Sequence, residues 1–221
     1  MAAEFRSKKE IVYDLLREDI VKGKYKPGTR LVIDELAKQL NVSQIPIREA
    51  IQQLEADGFV TVEPYVGART SEIDASFIYE VFAMLESMEI ICSRAACDRL
   101  TDADIKKLSK MISAMDDTIS DPEVWSEQNK KMHLFVCEIA KTKLVQKTME
   151  KTFDHWDRLR HCYLRNVDDN RIAEAQAEHH LLLDAFIKRD ADAVEQIIRT
   201  HNQSALKSYI RHMETEGYLQ A

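Results

Sequence analysis

Three histidines of this chain lie inside apolar helical stripes, where an ionisable ring needs an explanation. His133, His179 and His201 each recur with apolar residues at helical spacing, which predicts that each ring faces the interior of a helical domain. A buried imidazole needs a hydrogen-bond partner or a metal ion. Asn129 lies one helical turn before His133 and adds an amide oxygen. If the helices converge, these four side chains could hold a divalent metal ion such as Zn²⁺ or Ni²⁺, with open positions for a ligand.

Two other interpretations of the histidines stay open. They could be core residues of a helical scaffold that binds no metal, each satisfied by its neighbours. They could also be the metal ligands of a hydrolase or oxygenase, because three imidazoles and an open coordination position permit that chemistry. No side chain in the sequence is well placed as a general base, and Asn129 cannot serve as one, which argues against an enzyme.

A second group of side chains lies on a short helix predicted over residues 44–57. Apolar residues recur there at positions i, i+3, i+4 and i+7 and predict a buried face. The other side chains of its N-terminal half, with the residue that caps it, form a candidate DNA-reading set: Ser43, Gln44, Ile45, Arg48 and Gln52. An arginine can donate two hydrogen bonds to guanine, and a glutamine can pair with adenine. The same helical geometry also occurs in proteins that bind no DNA.

The elements around this helix predict a compact unit. Three helices and two strands are expected, over 8–22, 33–40, 44–57, 59–63 and 68–70. The strands flank the turn Pro64–Gly67, which is a hairpin signal. We therefore predict a winged helix-turn-helix over residues 1–70.

The rest of the chain shows helical patterns and no strand pattern. Six helices are expected, over 74–98, 102–119, 122–140, 143–167, 170–188 and 190–214. Thr101 with Asp104 resembles a capping box, and Asp121 precedes a proline at a first helical position. The fold class is thus mainly α: a winged domain, a short linker at 71–74 and an all-helical six-helix bundle over 75–221.

Charge and composition are those of a cytoplasmic protein that contacts no membrane. The net charge is −7, but residues 1–70 carry 11 basic and 11 acidic residues, so the acidic excess lies in the second part of the chain. No run approaches the ~18 apolar residues of a membrane helix. Four cysteines form no CxxC pair and are expected to be buried free thiols: Cys92, Cys97, Cys137 and Cys162.

The N-terminal motifs resemble the GntR family of bacterial transcription regulators. The resemblance rests on three stretches: Ile20–Leu31, Val42–Ile51 and Leu54–Val60. It implies that Arg48 reads a base and that the wing tip near Gly67 enters the minor groove. Lys24, Lys26 and Arg30 are candidate phosphate contacts. The family usually has an arginine at the position of Gln44, so one DNA contact is expected to differ here.

The helical part is similar to the FCD effector domain of the FadR branch of that family. The similarity rests on three segments: Asn129–His133, Glu178–Ala185 and Arg199–His201. It implies a divalent metal held by Asn129, His133, His179 and His201, with an asparagine where aspartate is frequent. His180 adjoins His179, but neighbours on a helix are rotated by ~100°, so only one of the two faces the site.

The similarity also concerns a small-molecule effector. Many relatives carry a carboxylate-binding arginine on the first sensor helix, at the position of Phe82 in this chain. Arg158 and Arg165 are possible substitutes, although exposed helical arginines are common. The resemblance implies a homodimeric repressor of a pseudo-palindromic operator, controlled by an organic acid that the metal holds.

Overall fold

The computed structural model describes residues 6–163 and 169–218 of the chain. Its elements, in chain order, are α1 (Lys8–Val21), β1 (Arg30–Leu31), α2 (Ile33–Gln39), α3 (Gln44–Ala56), β2 (Val60–Glu63), β3 (Gly67–Thr70), α4 (Ala75–Cys97), α5 (Asp102–Asp116), α6 (Pro122–Ala140), α7 (Lys143–Tyr163), α8 (Asp169–Lys188) and α9 (Ala191–Thr215). The predicted fold class, a winged helix-turn-helix followed by an all-helical domain, is confirmed. The predicted helix over 143–167 is observed as far as Tyr163, and residues 164–168 lie outside the described residues.

The three strands form one antiparallel sheet in the order β1-β3-β2. The β2–β3 hairpin was predicted, but β1 was not. Its two residues pair with β3 in the register Arg30↔Arg69 and Leu31↔Ala68. A strand of two residues is too short to show an alternating pattern, and the preceding Pro27-Gly28 indicates a turn. The hairpin is therefore anchored by a strand that only the tertiary pairing defines.

The helix-turn-helix is held by a continuous apolar core. α1 contributes Leu16 and Ile20, and α3 contributes Ile47 and Leu54, all of which are almost fully buried. Phe59, just before β2, completes this core. Because the buried apolar side chains of α3 lie on one face, its opposite face is left at the surface.

The chain divides into two compact units whose boundary cuts through α7. One unit comprises Met1–Asp74 and Asp154–Tyr163, and the other comprises Ala75–Phe153 and Leu164–Ala221. In the first unit, the Arg158 side chain is fully buried and donates a hydrogen bond to the carbonyl oxygen of Ser71. The His155 ring stacks on Phe59, with ring centroids 4.2 Å apart. The C-terminal segment of α7 is therefore part of the first unit's core.

His155 makes the stability of this unit sensitive to acid. Its Nε2 donates to the carbonyl oxygen of Asp57 at 2.9 Å. Burial lowers the pKa of His155 to about 4, with the nearby Arg158 acting in the same direction and the Asp57 carbonyl opposing it. The unfolded chain takes up this proton near pH 6.5, whereas the folded chain does so near pH 4, so the contribution to stability present above pH 6.5 is lost as the pH falls through that window.

We therefore expect His155→Phe to reduce the acid sensitivity of unfolding. Between about pH 7.5 and about pH 5, the wild type should lose about 2 kcal/mol more unfolding free energy than the variant. Urea unfolding of the full chain, followed by tryptophan fluorescence, measures this difference. His212→Phe, in the last turn of α9, is the matched control and should lose as much as the wild type. Equal losses in His155→Phe and the wild type would refute the assignment.

The second unit is a bundle of α-helices. α4 packs against α6 and α9, while α8 packs against α5 and α9. The expected capping box is present, because the Thr101 hydroxyl accepts from the Asp104 amide and the Asp104 carboxylate accepts from Thr101 in return. Asp121 caps α6 through the amide of Val124. Among the described residues, no helix is long and apolar enough to cross a membrane.

The cysteine prediction was wrong for one pair. Cys92 of α4 and Cys137 of α6 form a disulfide, with Cα atoms 5.0 Å apart. That separation lies within the usual range for a disulfide. The pairing depends on how α4 and α6 pack, and residue spacing along the chain contains no information on it. Cys97 is buried, as expected, whereas Cys162 is only partly buried, and neither forms a disulfide within the described residues.

Candidate nucleic-acid interface and candidate metal centre

The outer face of α3 presents the predicted DNA-reading side chains to solvent. All five members of the set are exposed: Ser43, Gln44, Ile45, Arg48 and Gln52. Ile45 is 67% exposed, which is unusual for an isoleucine and suits contact with a thymine methyl group. The structure thus brings these side chains to one accessible surface.

The start of α3 is electrostatically open to a phosphate. Ser43 is its N-cap residue, yet the Ser43 side chain makes no capping hydrogen bond. The first turn of α3 contains no acidic residue. Helix N-termini attract anions through their free amides and the helix dipole.

Gln44 links Arg48 to the preceding helix. Its side-chain amide donates to Asp34 of α2, and its amide oxygen accepts from the Arg48 guanidinium at 3.3 Å. Gln44 therefore contacts a terminal nitrogen (Nη2) of the Arg48 guanidinium near the N-terminal end of α3. An arginine at position 44 could not accept this hydrogen bond from Arg48. The glutamine in place of the usual arginine therefore changes the surroundings of Arg48 as well as the contact made by residue 44.

The wing contains the predicted Gly67 and adds two residues that were not predicted, Tyr65 and Arg69. Gly67 adopts a φ of 103°, which favours glycine, and a Cβ there would meet nothing within 4 Å. Tyr65 at the turn is fully exposed, at 108% relative accessibility. Arg69 of β3 is exposed opposite Arg30 of β1, so two cations lie side by side on the sheet. An aromatic residue within the predicted hairpin turn was the available signal for Tyr65.

The remaining candidate phosphate contacts differ in their surroundings. Lys24 is exposed, but its ammonium group pairs with the Asp19 carboxylate at 2.6 Å. Lys26 is exposed on the turn that precedes β1. Arg30 and Lys26 are therefore better candidates than Lys24 for a phosphate contact.

The three predicted histidines converge in the second unit. His133 comes from α6, His179 from α8 and His201 from α9, and one ring nitrogen from each lies within 4.8 Å of the others. His133 and His179 are buried, while the His201 side chain is 13% exposed. Neighbouring His180 is exposed and pairs with Asp116 instead.

Unsatisfied polar atoms test whether this cluster fits a metal ion. Nε2 of His133, Nε2 of His179 and Oδ1 of Asn129 are buried, and none has a hydrogen-bond partner within the described parts of the chain. Buried polar atoms are rarely left without a partner. Two imidazole nitrogens and one amide oxygen of this kind are donor atoms that a divalent transition metal accepts. The donor set fits a metal and argues against histidines that merely fill the core.

In each of the three histidines, Nδ1 faces a side-chain oxygen. Nδ1 of His201 lies 2.7 Å from Glu178, and Nδ1 of His133 lies 3.3 Å from Glu89. Nδ1 of His179 lies 3.3 Å from the side-chain oxygen of Gln176. Glu89 and Gln176 were missed in the sequence. A glutamate inside the apolar run of α4 was the signal that could have found Glu89.

The ionisation of the cluster suits metal binding. Burial lowers the pKa of His133 and lowers that of His179 further, so both rings are neutral near pH 7. Burial would raise the pKa of Glu178, but hydrogen bonds from His201 and Arg171 outweigh it and lower that pKa to about 2. Neutral imidazoles beside an ionised carboxylate are the forms that a metal site requires.

Phe82 is buried at the position of the missing arginine. Its ring packs edge-on against Tyr209, with centroids 5.2 Å apart. It also lines a cavity of about 290 Å³ between α4 and α9, together with Glu86 and Asn202. Arg158 does not replace the arginine, because its side chain is buried against Ser71 in the first unit. Arg165 lies outside the described residues.

Comparison with protein families defines the class of protein. The model described as "Bacterial regulatory proteins, gntR family" matches residues 8–69, and the FCD domain model matches residues 80–204. The second match covers more than half of the chain. The chain therefore belongs to the gntR family and carries an FCD domain: it is a bacterial transcriptional regulator and not an enzyme.

Individual relatives agree with that class along nearly the whole chain. The HTH-type transcriptional repressor RspR of Escherichia coli (strain K12) is 27% identical over 208 residues, covering 93% of this chain and 90% of the relative. The HTH-type transcriptional regulator YdhC of Bacillus subtilis (strain 168) is 24% identical over 211 residues, covering 93% and 92%. The solved structure of E. coli McbR/YncC has a TM-score of 0.76 at 20% identity and covers 94% of this chain and 99% of its own.

Proposed function

We propose that this regulator is a cytoplasmic homodimeric repressor that binds a pseudo-palindromic operator and is controlled by a small carboxylate in a metal-containing pocket. Residues 1–70 would bind DNA and residues 71–74 would link the two parts. Residues 75–221 would bind the metal and effector and form the dimer, although Asp154–Tyr163 belongs to the first compact unit. One observation carries the proposal. Asn129, His133 and His179 have buried metal-donor atoms without a hydrogen-bond partner among the described residues, in a chain whose other part matches the gntR family.

In the DNA complex, α3 occupies the major groove. Arg48 and Gln52 contact base edges, Ile45 contacts a thymine methyl, and the open first turn with Ser43 contacts a phosphate. Gln44 positions Arg48, which is supported by their hydrogen bond of 3.3 Å. The wing tip at Gly67 enters the minor groove. The repressor assignment is supported by the name of RspR, a repressor that is similar along almost its full length.

In the second unit, Asn129, His133, His179 and His201 hold the ion. The metal supplies a Lewis-acidic centre to which a carboxylate effector binds. Because all four ligands are uncharged, the ion would attract an anionic effector, although the Glu178 and Glu89 carboxylates behind His201 and His133 would reduce that attraction. That attraction compensates for Phe82, which offers no charge where relatives have an arginine. Effector binding then changes DNA affinity by favouring one arrangement of the dimer.

A selection experiment followed by effector screening tests this function. Duplexes selected by the full-length protein from a random library should contain two inverted half-sites about 10 base pairs apart. With Zn²⁺ or Ni²⁺ present, at least one acid from a panel of small carboxylates should change operator affinity by ~5- to 150-fold, the usual range of allosteric coupling.

The matched control is the neutral amide of whichever acid acts, which should have no effect. A chelator should also abolish the response, because it removes the ion that holds the acid. A response that persists without metal would contradict the metal-held effector. Selection of a single unpaired half-site would contradict the dimer.

A further inference from the structure

We propose that Gln176, Glu178 and Glu89 are positioning residues that hold all three histidines in one tautomer, with the hydrogen on Nδ1 and with Nε2 offered to the metal. This inference rests on the proposed metal site. It adds which ring nitrogen of each histidine binds the metal and which side chains determine that choice. The observation behind it is that each Nδ1 faces a side-chain oxygen, whereas Nε2 of His133 and Nε2 of His179 have no partner in the described chain.

The Gln176 amide has a forced orientation. Its nitrogen donates to the carbonyl oxygen of Ile112 at 2.8 Å and to the Asp116 carboxylate at 2.7 Å. Its oxygen consequently faces the other way, where it accepts from the Trp125 indole nitrogen at 3.2 Å. That oxygen cannot donate, so the Nδ1 of His179 3.3 Å away must carry the hydrogen. The tautomer of His179 is therefore set by a chain of contacts that begins on α5.

Glu178 acts on His201 in the same way. Arg171 donates to both Glu178 oxygens, at 3.1 and 2.7 Å, and also to the backbone carbonyl of His201 at 3.2 Å. This clamp fixes the carboxylate 2.7 Å from Nδ1 of His201. A carboxylate held by two guanidinium hydrogen bonds accepts and does not donate, so the hydrogen lies on Nδ1.

Glu89 completes the pattern on α4. The carboxylate is buried, and Asn202 of α9 donates to one of its oxygens at 2.8 Å. Its other oxygen faces Nδ1 of His133 at 3.3 Å. A buried carboxylate needs hydrogen-bond donors, and the Nδ1–H of His133 supplies one. Three side chains on two helices thus impose one orientation on three rings from three helices.

The side chains that face the three Nδ1 atoms differ in charge, and this difference should affect metal affinity. His133 and His201 have carboxylate partners, whereas His179 has a neutral amide. Carboxylate partners raise the basicity of a ligating imidazole, and losing such a partner costs ~10- to 100-fold in metal affinity. Glu178 and Glu89 should therefore contribute more to metal affinity than Gln176 does.

Long-range ¹H–¹⁵N NMR spectra of the histidine-labelled full-length protein test the tautomers directly. In the metal-free wild type, the neutral rings of His133 and His179 should carry their hydrogen on Nδ1. After addition of Zn²⁺, all three rings should show a protonated Nδ1 and a metal-bound Nε2. A hydrogen on Nε2 of any of the three rings in the zinc-loaded protein would overturn the inference while leaving the metal site intact. Nδ1 protonation without any zinc uptake would uphold the tautomers and refute the metal part of the proposed function.

Zinc affinity, measured by competition with a chelator, tests the contribution of Glu178. Glu178→Gln should bind zinc ~10- to 100-fold more weakly than the wild type. Glu195→Gln is the matched control, because Glu195 lies on the same helix as His201 and pairs only with the surface arginines Arg94 and Arg199 in the described contacts. Equal affinities for Glu178→Gln and the wild type would refute the role of the carboxylate. If Glu178→Gln fails to fold because Arg171 loses its partner, the wild-type spectra still decide the question.

Discussion

Replacing His133 and His179 together with alanine is expected to abolish stoichiometric metal binding. Reloaded wild-type protein should contain about one ion per chain. The double variant should contain none after the same treatment, because it loses both buried nitrogens that lack a partner among the described residues. Elemental analysis of chelator-treated and reloaded protein measures this difference. Stoichiometric metal in the double variant would refute the site.

His180→Ala is the control that the sequence itself provides. His180 adjoins His179, but its side chain is 47% exposed and pairs with Asp116. His180→Ala removes one imidazole ring from α8, the helix that also contains His179. It should retain the wild-type metal content. Loss of metal in this variant would show that the wrong one of the two neighbours has been assigned.

Thermal unfolding of the same variants gives a second measure of metal binding. A ligand that binds only the folded state at ~100 times its dissociation constant stabilises by about 2.7 kcal/mol. For a chain of this size, that corresponds to a rise in Tm of roughly 5–10 °C. The wild type and His180→Ala should show this rise with Zn²⁺ and lose it with a chelator. The double alanine variant should show no rise.

The second large effect is expected at the DNA surface. Arg48→Ala should reduce discrimination between the selected operator and a scrambled duplex by ~10- to 100-fold, because a bidentate base contact is worth about 1–3 kcal/mol. The fold should stay intact, since the Arg48 side chain is exposed and its described contact is the hydrogen bond with Gln44. Unchanged discrimination would contradict the assignment of α3 as the reading helix.

Comparison with Lys26→Ala separates base recognition from sequence-independent attraction to phosphates. Lys26 is exposed and is proposed to contact a phosphate. Its loss should weaken binding to both duplexes by a similar factor and should lower the salt dependence of binding by about one counterion. A loss of discrimination from Lys26→Ala as large as that from Arg48→Ala would contradict the assignment of Lys26 to a phosphate contact.

The elements that were predictable from the sequence are those with a periodic signal. The apolar face of α3 follows from residues such as Ile47 and Leu54, and its exposure of Arg48 follows from the same periodicity. The histidines could be assigned to an interior because they share faces with apolar residues. In each case, the sequence of a single helix is enough to predict which side chains are buried and which are exposed.

The features that were not predictable depend on distances between elements. β1 exists because Arg30 and Leu31 pair with a strand almost 40 residues away. The Cys92–Cys137 disulfide requires α4 and α6 to pack in one particular register. The carboxylate beside His133 comes from α4, which contributes no histidine to the cluster. No local pattern reports which side chain of a neighbouring helix will face a given ring.

The path of α7 affects how this protein can be divided or recombined. Because Asp154–Tyr163 belongs to the same compact unit as the N-terminal domain, a fragment that ends at residue 74 lacks the ring that covers Phe59. It also lacks the guanidinium that binds the carbonyl of Ser71. A chimera that joins this DNA-binding domain to the sensor of a relative must therefore transplant two separate stretches of sequence. An exchange of one contiguous domain at residue 74 would meet the same constraint, because it would separate Phe59 and Ser71 from the α7 side chains that contact them.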